Sequence, residues 1–191
     1  MGMQSSLIKE FTSNKFLIIL VDEKEYARNL DDIIRTIQQN KTRICYVCLS
    51  KPYTDVLKDL ESMGMKRENF FFIDIMTSHY TKPIPQDDCI FLSSASNLDD
   101  IRQAVRKAVE EKNCSTILFD TISTLLIYQE KHSIVEFTHN LISEKEQENT
   151  KKLFIVLKEG NKEEDTLTDD LQMFADKKID LRRKNINPSG A

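Results

Sequence analysis

Short, unbroken aliphatic runs that alternate with amphipathic stretches constrain this chain more than any other feature of it. Phe16-Leu-Ile-Ile-Leu-Val21 is apolar at every position, a pattern that suits a strand covered on both faces. Behind it Tyr26, Leu30, Ile33, Ile34 and Ile37 recur at helical spacing through Asn40. The unit then repeats. A strand runs from Arg43 to Leu49, a turn follows at Lys51-Pro52, and a helix carrying Val56, Leu57, Leu60 and Met63 stops at Gly64, where a glycine can take the left-handed conformation that ends helices. A third strand is Phe70-Phe-Phe-Ile-Asp-Ile75.

The residues from His79 to Asp88 carry Pro83 and Pro85 and read as a surface loop, with Cys89 to Leu92 as a short edge strand. Ser96 or Asn97 caps the next helix, whose stripe is Leu98, Ile101, Val105 and Ala108, with Asp99 and Asp100 at its positive end. The strand Thr116 to Asp120 follows. A helix is expected from Ser133 to Glu148, presenting Ile134, Phe137, Leu141 and Ile142, and then a strand from Leu153 to Leu157. The acid-and-lysine stretch Lys158 to Asp165 reads as a mobile loop, Thr168 as the cap of a short helix bearing Leu171 and Phe174, and Lys178 to Leu181 as the last strand. The alternation predicts a three-layer α/β/α sandwich with a mostly parallel central sheet and right-handed crossovers. It is expected to be one domain over residues 15–182, preceded by an N-terminal extension, 1–14, and followed by a flexible tail, 183–191.

A chain of 191 residues buries roughly 70% of its unfolded surface, so its core needs no disulfide or metal. Cys45-Tyr-Val-Cys48 has the gap of a zinc or redox pair, yet it lies within a strand, where residues three apart point to opposite faces and cannot share one metal. Cys45, Cys48, Cys89 and Cys114 therefore read as small core residues in a reducing, cytoplasmic setting. The net charge of −4 gives no general reason to bind nucleic acid or an anionic membrane, and the longest apolar run falls far short of the roughly 20 residues of a membrane span. The helix from Asn97 to Lys112 carries Arg102, Arg106, Lys107 and Lys112 as a solvated face, without the interleaved aromatics that stack on bases.

Only 4 glycines occur, Gly2, Gly64, Gly160 and Gly190, too scattered for any phosphate-cradling glycine loop. In open parallel sheets ligands bind at the carboxyl ends of the strands, so the remaining candidates are the polar groups there: Asp22, Lys51, Asp74, Asp120 and Ser123. Asp120 ends an apolar strand, the position at which nucleotide hydrolases hold magnesium, although such an acid equally serves to cap the turn Thr121 to Ser123. Asp74 with His79 makes a conceivable acid and base pair. His132 and His139 lie two turns apart, too far for a helical metal pair, and read as solvated positions.

The segments Ile44 to Tyr53, Asn69 to Asp74, Thr116 to Leu125, Phe174-Ala-Asp176 and Ile179-Asp-Leu181, taken in order, resemble a KaiC-like, RecA-type ATPase domain over roughly residues 15 to 182, and within that group an archaeal branch that lacks the phosphate loop. The resemblance implies a RecA-like fold. Where such a domain carries its phosphate loop, this chain has Asp22-Glu-Lys-Glu25, whose carboxylates oppose a polyphosphate. Where the family carries the acids that activate water, Ser50-Lys51 stands; Asp120 alone matches the magnesium position. No cofactor and no catalytic residue is therefore expected. The expectation is a degenerate, nucleotide-inactive domain working as a regulatory, signalling or scaffold protein with a protein partner, self-association included. A small-ligand protein or enzyme using the strand-end cleft, and an accessory protein of DNA recombination or repair, are the alternatives.

Overall fold

The computed structural model describes residues 3–144, 149–158, 160 and 162–182. Seven strands, β1 (Phe16–Val21), β2 (Ile44–Cys48), β3 (Phe70–Asp74), β4 (Cys89–Phe91), β5 (Thr116–Asp120), β6 (Lys151–Leu157) and β7 (Lys177–Asp180), form one sheet in the order β4-β3-β2-β5-β6-β1-β7. Every neighbouring pair is parallel. Alternate residues of each strand enter different cores, as the pleat requires. On one face Phe71, Phe119 and Phe154 meet α5 (Leu98–Glu110), α6 (Lys131–Ser143) and α7 (Lys162–Gln172). On the other, Phe72, Leu118 and Ile155 meet α1 (Met3–Ser13), α2 (Tyr26–Gln38) and α3 (Tyr53–Ser62). The three-layer architecture expected from the sequence is thus the one observed.

Cys45 and Cys48 fall in opposite cores, and all four cysteines are free and buried. Burial pushes the thiols of Cys45 and Cys48 well above their ordinary range, which leaves them protonated. Asn97 is the cap of α5, its side-chain oxygen accepting from the Asp99 amide at 3.1 Å. Gly64 takes φ +77° directly after the end of α3, and open space surrounds the position of a Cβ there. Among the described residues no helix is long and apolar enough to cross a membrane.

Four local expectations change. Residues 3–13, assigned to an extension outside the domain, form α1, which buries Leu7 and Phe11 against the second core. Lys151 holds its end, donating to the carbonyls of Phe11 and Asn14 at 2.6 and 2.8 Å. Thr168 does not cap a helix. It lies inside α7, donating to the Glu164 carbonyl at 2.6 Å, and the helix begins at Lys162 because Glu163, Glu164 and Asp165 favour its positive end. Part of the expected loop from Lys158 to Asp165 is therefore helix, and Phe174 lies beyond the helix end. The loop expected from His79 begins within a one-turn helix, α4 (Thr77–Tyr80), and α6 starts at Lys131 instead of Ser133. The tail 183–191 and residues 145–148 lie outside the described residues.

Candidate functional site

The carboxyl edge of the sheet is where the candidate residues gather. In register across it stand Asp74, Cys48, Asp120 and Ile155 on β3, β2, β5 and β6. Asp74 and Asp120 are two strands apart, roughly 10 Å at the usual strand spacing, and belong to different hydrogen-bond networks.

Asp74 is fully buried, and its carboxylate is consumed by the chain. One oxygen accepts from the amides of Met76 and Thr77 at 2.7 and 2.9 Å; the other accepts from the Tyr53 amide at 2.8 Å and from the Thr77 hydroxyl. This carboxylate fastens the first residue of α3 and the turn into α4, a task that suits an acid because those amides have no intrahelical acceptor. His79 is not its partner; the imidazole stacks on the Tyr128 ring at a centroid distance of 5.8 Å.

Asp120 is 2% exposed and accepts from two phenols. The Tyr26 hydroxyl donates to both carboxylate oxygens at 2.5 Å, and the Tyr46 hydroxyl donates to one of them. Tyr46 reaches it from the adjacent strand and Tyr26 from the first turn of α2, immediately after the acidic turn. Burial pushes the Asp120 carboxyl above its ordinary 3.8, while the two phenols pull it partly back. Burial, aided by the Asp120 charge, drives both phenols far above their ordinary value, so they remain hydrogen donors throughout the accessible pH range. Of the two roles expected for Asp120, a magnesium site or a cap of the following turn, the cap is not seen. That turn closes without it, through the Thr124 amide on the Thr121 carbonyl at 3.0 Å and the Thr121 and Thr124 hydroxyls at 2.9 Å.

The remaining candidates are likewise tied into the fold. Asp22 caps the short 3-10 turn Glu23–Glu25, accepting from the Glu25 amide at 2.9 Å. Lys51 pairs with Asp59 at 2.8 Å, and its ammonium lies 5.8 Å from the centre of the Tyr26 ring. The Ser123 hydroxyl accepts from the Leu157 amide at 3.2 Å, joining the loop after β5 to the end of β6. His132 and His139 are both exposed, His139 against the Phe174 ring. Among the described residues no three His, Cys, Asp or Glu side chains converge in a metal-binding group.

Lys51, Tyr26, Asp120 and Tyr46 do come together, whereas Asp22, Asp74 and Ser123 serve separate turns. Sequence reading missed the two tyrosines because each fits a stripe of apolar core residues. The available signal is chemical: a buried phenol requires an acceptor, and Asp120 ends the strand beside Tyr46. This arrangement does not fit magnesium. A cation approaching Asp120 would have to displace hydrogens from both carboxylate oxygens.

No family model and no curated protein matches the chain. Among solved structures, a KaiC-like protein from the hyperthermophilic archaeon Pyrococcus horikoshii is similar over 90% of this chain and 75% of that one, with a TM-score of 0.64 and 15% sequence identity. At that identity the likeness is one of fold, and the architecture is a KaiC-like, RecA-type α/β sandwich.

Proposed function

We propose that this chain is a RecA-type domain without working nucleotide chemistry, serving as a regulatory, signalling or scaffold protein that acts by binding another protein. The observation that carries this reading is the Tyr26–Asp120–Tyr46 cluster: the carboxylate at the magnesium position is spent on the chain's own phenols. Two further features support it. Asp22, Glu23 and Glu25 replace a glycine-rich phosphate loop, and Ser50-Lys51 replaces the acids that would activate water. The strand-end enzyme reading needs Asp74 and Asp120 to converge, and their separate hydrogen-bond networks speak against it. The acidic edge speaks equally against direct contact with DNA.

Calorimetric titration with ATP and magnesium is expected to give no binding heat, and a dissociation constant in the micromolar range would overturn the reading. Tyr26→Phe, which removes one hydroxyl from the buried carboxylate, is expected to cost about 1–2 kcal/mol in urea unfolding without conferring ATP binding.

A further inference from the structure

We infer that residues 80–85, between α4 and β4, are the element by which this chain docks on a protein partner, seated as an extended, left-handed segment in a partner's groove lined with aromatic rings. This rests on the interaction-protein reading above and names the chemistry of the partner. The segment reads Tyr80-Thr-Lys-Pro-Ile-Pro85. Each proline fixes its own φ at about −65°. Lys82 and Ile84, each standing before a proline, are driven out of the helical region toward extended backbone. Four consecutive residues therefore hold the conformation of a polyproline helix before any partner arrives.

The segment is both exposed and anchored. Tyr80 is 74% and Ile84 75% exposed, and Lys82 and Pro85 also face water. Among the described residues none donates to the carbonyls of residues 82–85. On its near side the Thr81 amide donates to the Thr77 carbonyl at 3.0 Å, and His79 stacks on Tyr128. On its far side Arg67 clamps Asp88 at 2.6 and 2.8 Å and reaches the Gln86 side chain at 3.3 Å. A segment held at both ends loses little freedom on binding. Two other modes of peptide recognition are closed to it. The prolines forbid a helix, and they strip both amide donors from one edge of any added strand. What remains is capture of the preformed segment by aromatic rings, which receive the prolines and Ile84. Lys82 and Asp87 flank the prolines with opposite, unpaired charges, which gives the bound segment a direction.

Fluorescence anisotropy of the labelled full chain, titrated with purified SH3, WW and EVH1 domains, whose grooves read proline-fixed segments, tests this. At least one domain is expected to bind in the micromolar range, and a synthetic peptide of residues 79–87 to compete for it. Ile84→Asp, and separately the pair Pro83→Ala with Pro85→Ala, should each weaken that binding by about tenfold or more. Because Ile84 is exposed, the thermal midpoint of Ile84→Asp should match that of the parent. Binding by none of the domains, equal affinity across the variants, or a peptide that fails to compete would overturn the inference. So would a dimer that Ile84→Asp dissociates, since the occupant would then be a second copy of this chain. Binding of ATP with magnesium bears only on the proposed function and leaves the domain result standing, so the two failures are distinguishable.

Discussion

Replacing Asp74 by alanine should lower stability by about 3–5 kcal/mol, because three amides, those of Tyr53, Met76 and Thr77, lose their acceptor at a position closed to water, each at a cost of about 1–3 kcal/mol. For a domain of this size the thermal midpoint should fall by about 10 °C. Asp74→Asn keeps one acceptor oxygen and turns an amino group toward the remaining donors, so it should fall between alanine and the parent. Urea unfolding followed by circular dichroism checks both. An Asp74→Ala variant as stable as the parent would mean that this carboxylate is held for chemistry and not for the turn.

Asp120→Ala should cost about 2–4 kcal/mol, since the buried Tyr46 phenol and the half-buried Tyr26 phenol lose their acceptor and a small void opens. Asp120→Asn should gain on the parent as pH rises. Burial raises the folded pKa of Asp120 above its unfolded value, so between those two values the folded state holds more protons than the unfolded one. The contribution of this carboxyl to stability is therefore full below the unfolded value near 3.8 and declines as pH rises through the folded one. Asparagine does not ionise, and its oxygen and amino group can still meet the two phenols. The stability of Asp120→Asn relative to the parent should accordingly increase from pH 4 toward pH 8, as read from urea midpoints across that range. A difference independent of pH would show that Asp120 titrates as an ordinary, solvated carboxylate.

How far the sequence speaks depends on whether a feature is local. β1, β2, β3, β5 and β6 are continuous apolar runs because a parallel sheet is covered on both sides, and a run with no polar face is visible without any partner. The caps at Asn97 and Gly64 are legible for the same reason, since each acts within a few residues of itself. α1 and α7 escaped. The apolar anchors of α1, Leu7 and Phe11, are two among mostly polar residues and acquire meaning only against the second core. The first turn of α7 is acidic enough to pass for a solvated loop, and only the burial of Leu167 and Leu171 marks the helix that continues from it.

The candidate site divides along the same line. That Asp120 ends an apolar strand, that Asp22, Glu23 and Glu25 follow β1, and that no glycine loop exists are properties of the sequence by itself, and they already oppose a bound polyphosphate. What Asp120 does is decided in three dimensions. Tyr26 lies 94 residues away along the chain and Tyr46 lies 74 residues away, and neither announces a carboxylate partner in its own neighbourhood. Only the order of the strands, with β2 beside β5 and α2 entering over the sheet, brings both hydroxyls to one acid. Pairing across a sheet is set by burial summed over the whole core, a quantity that no local stretch of residues carries. The alternating pattern thus determined the class of fold, while the tertiary structure decided that the acid ending β5 is closed off by the chain's own tyrosines.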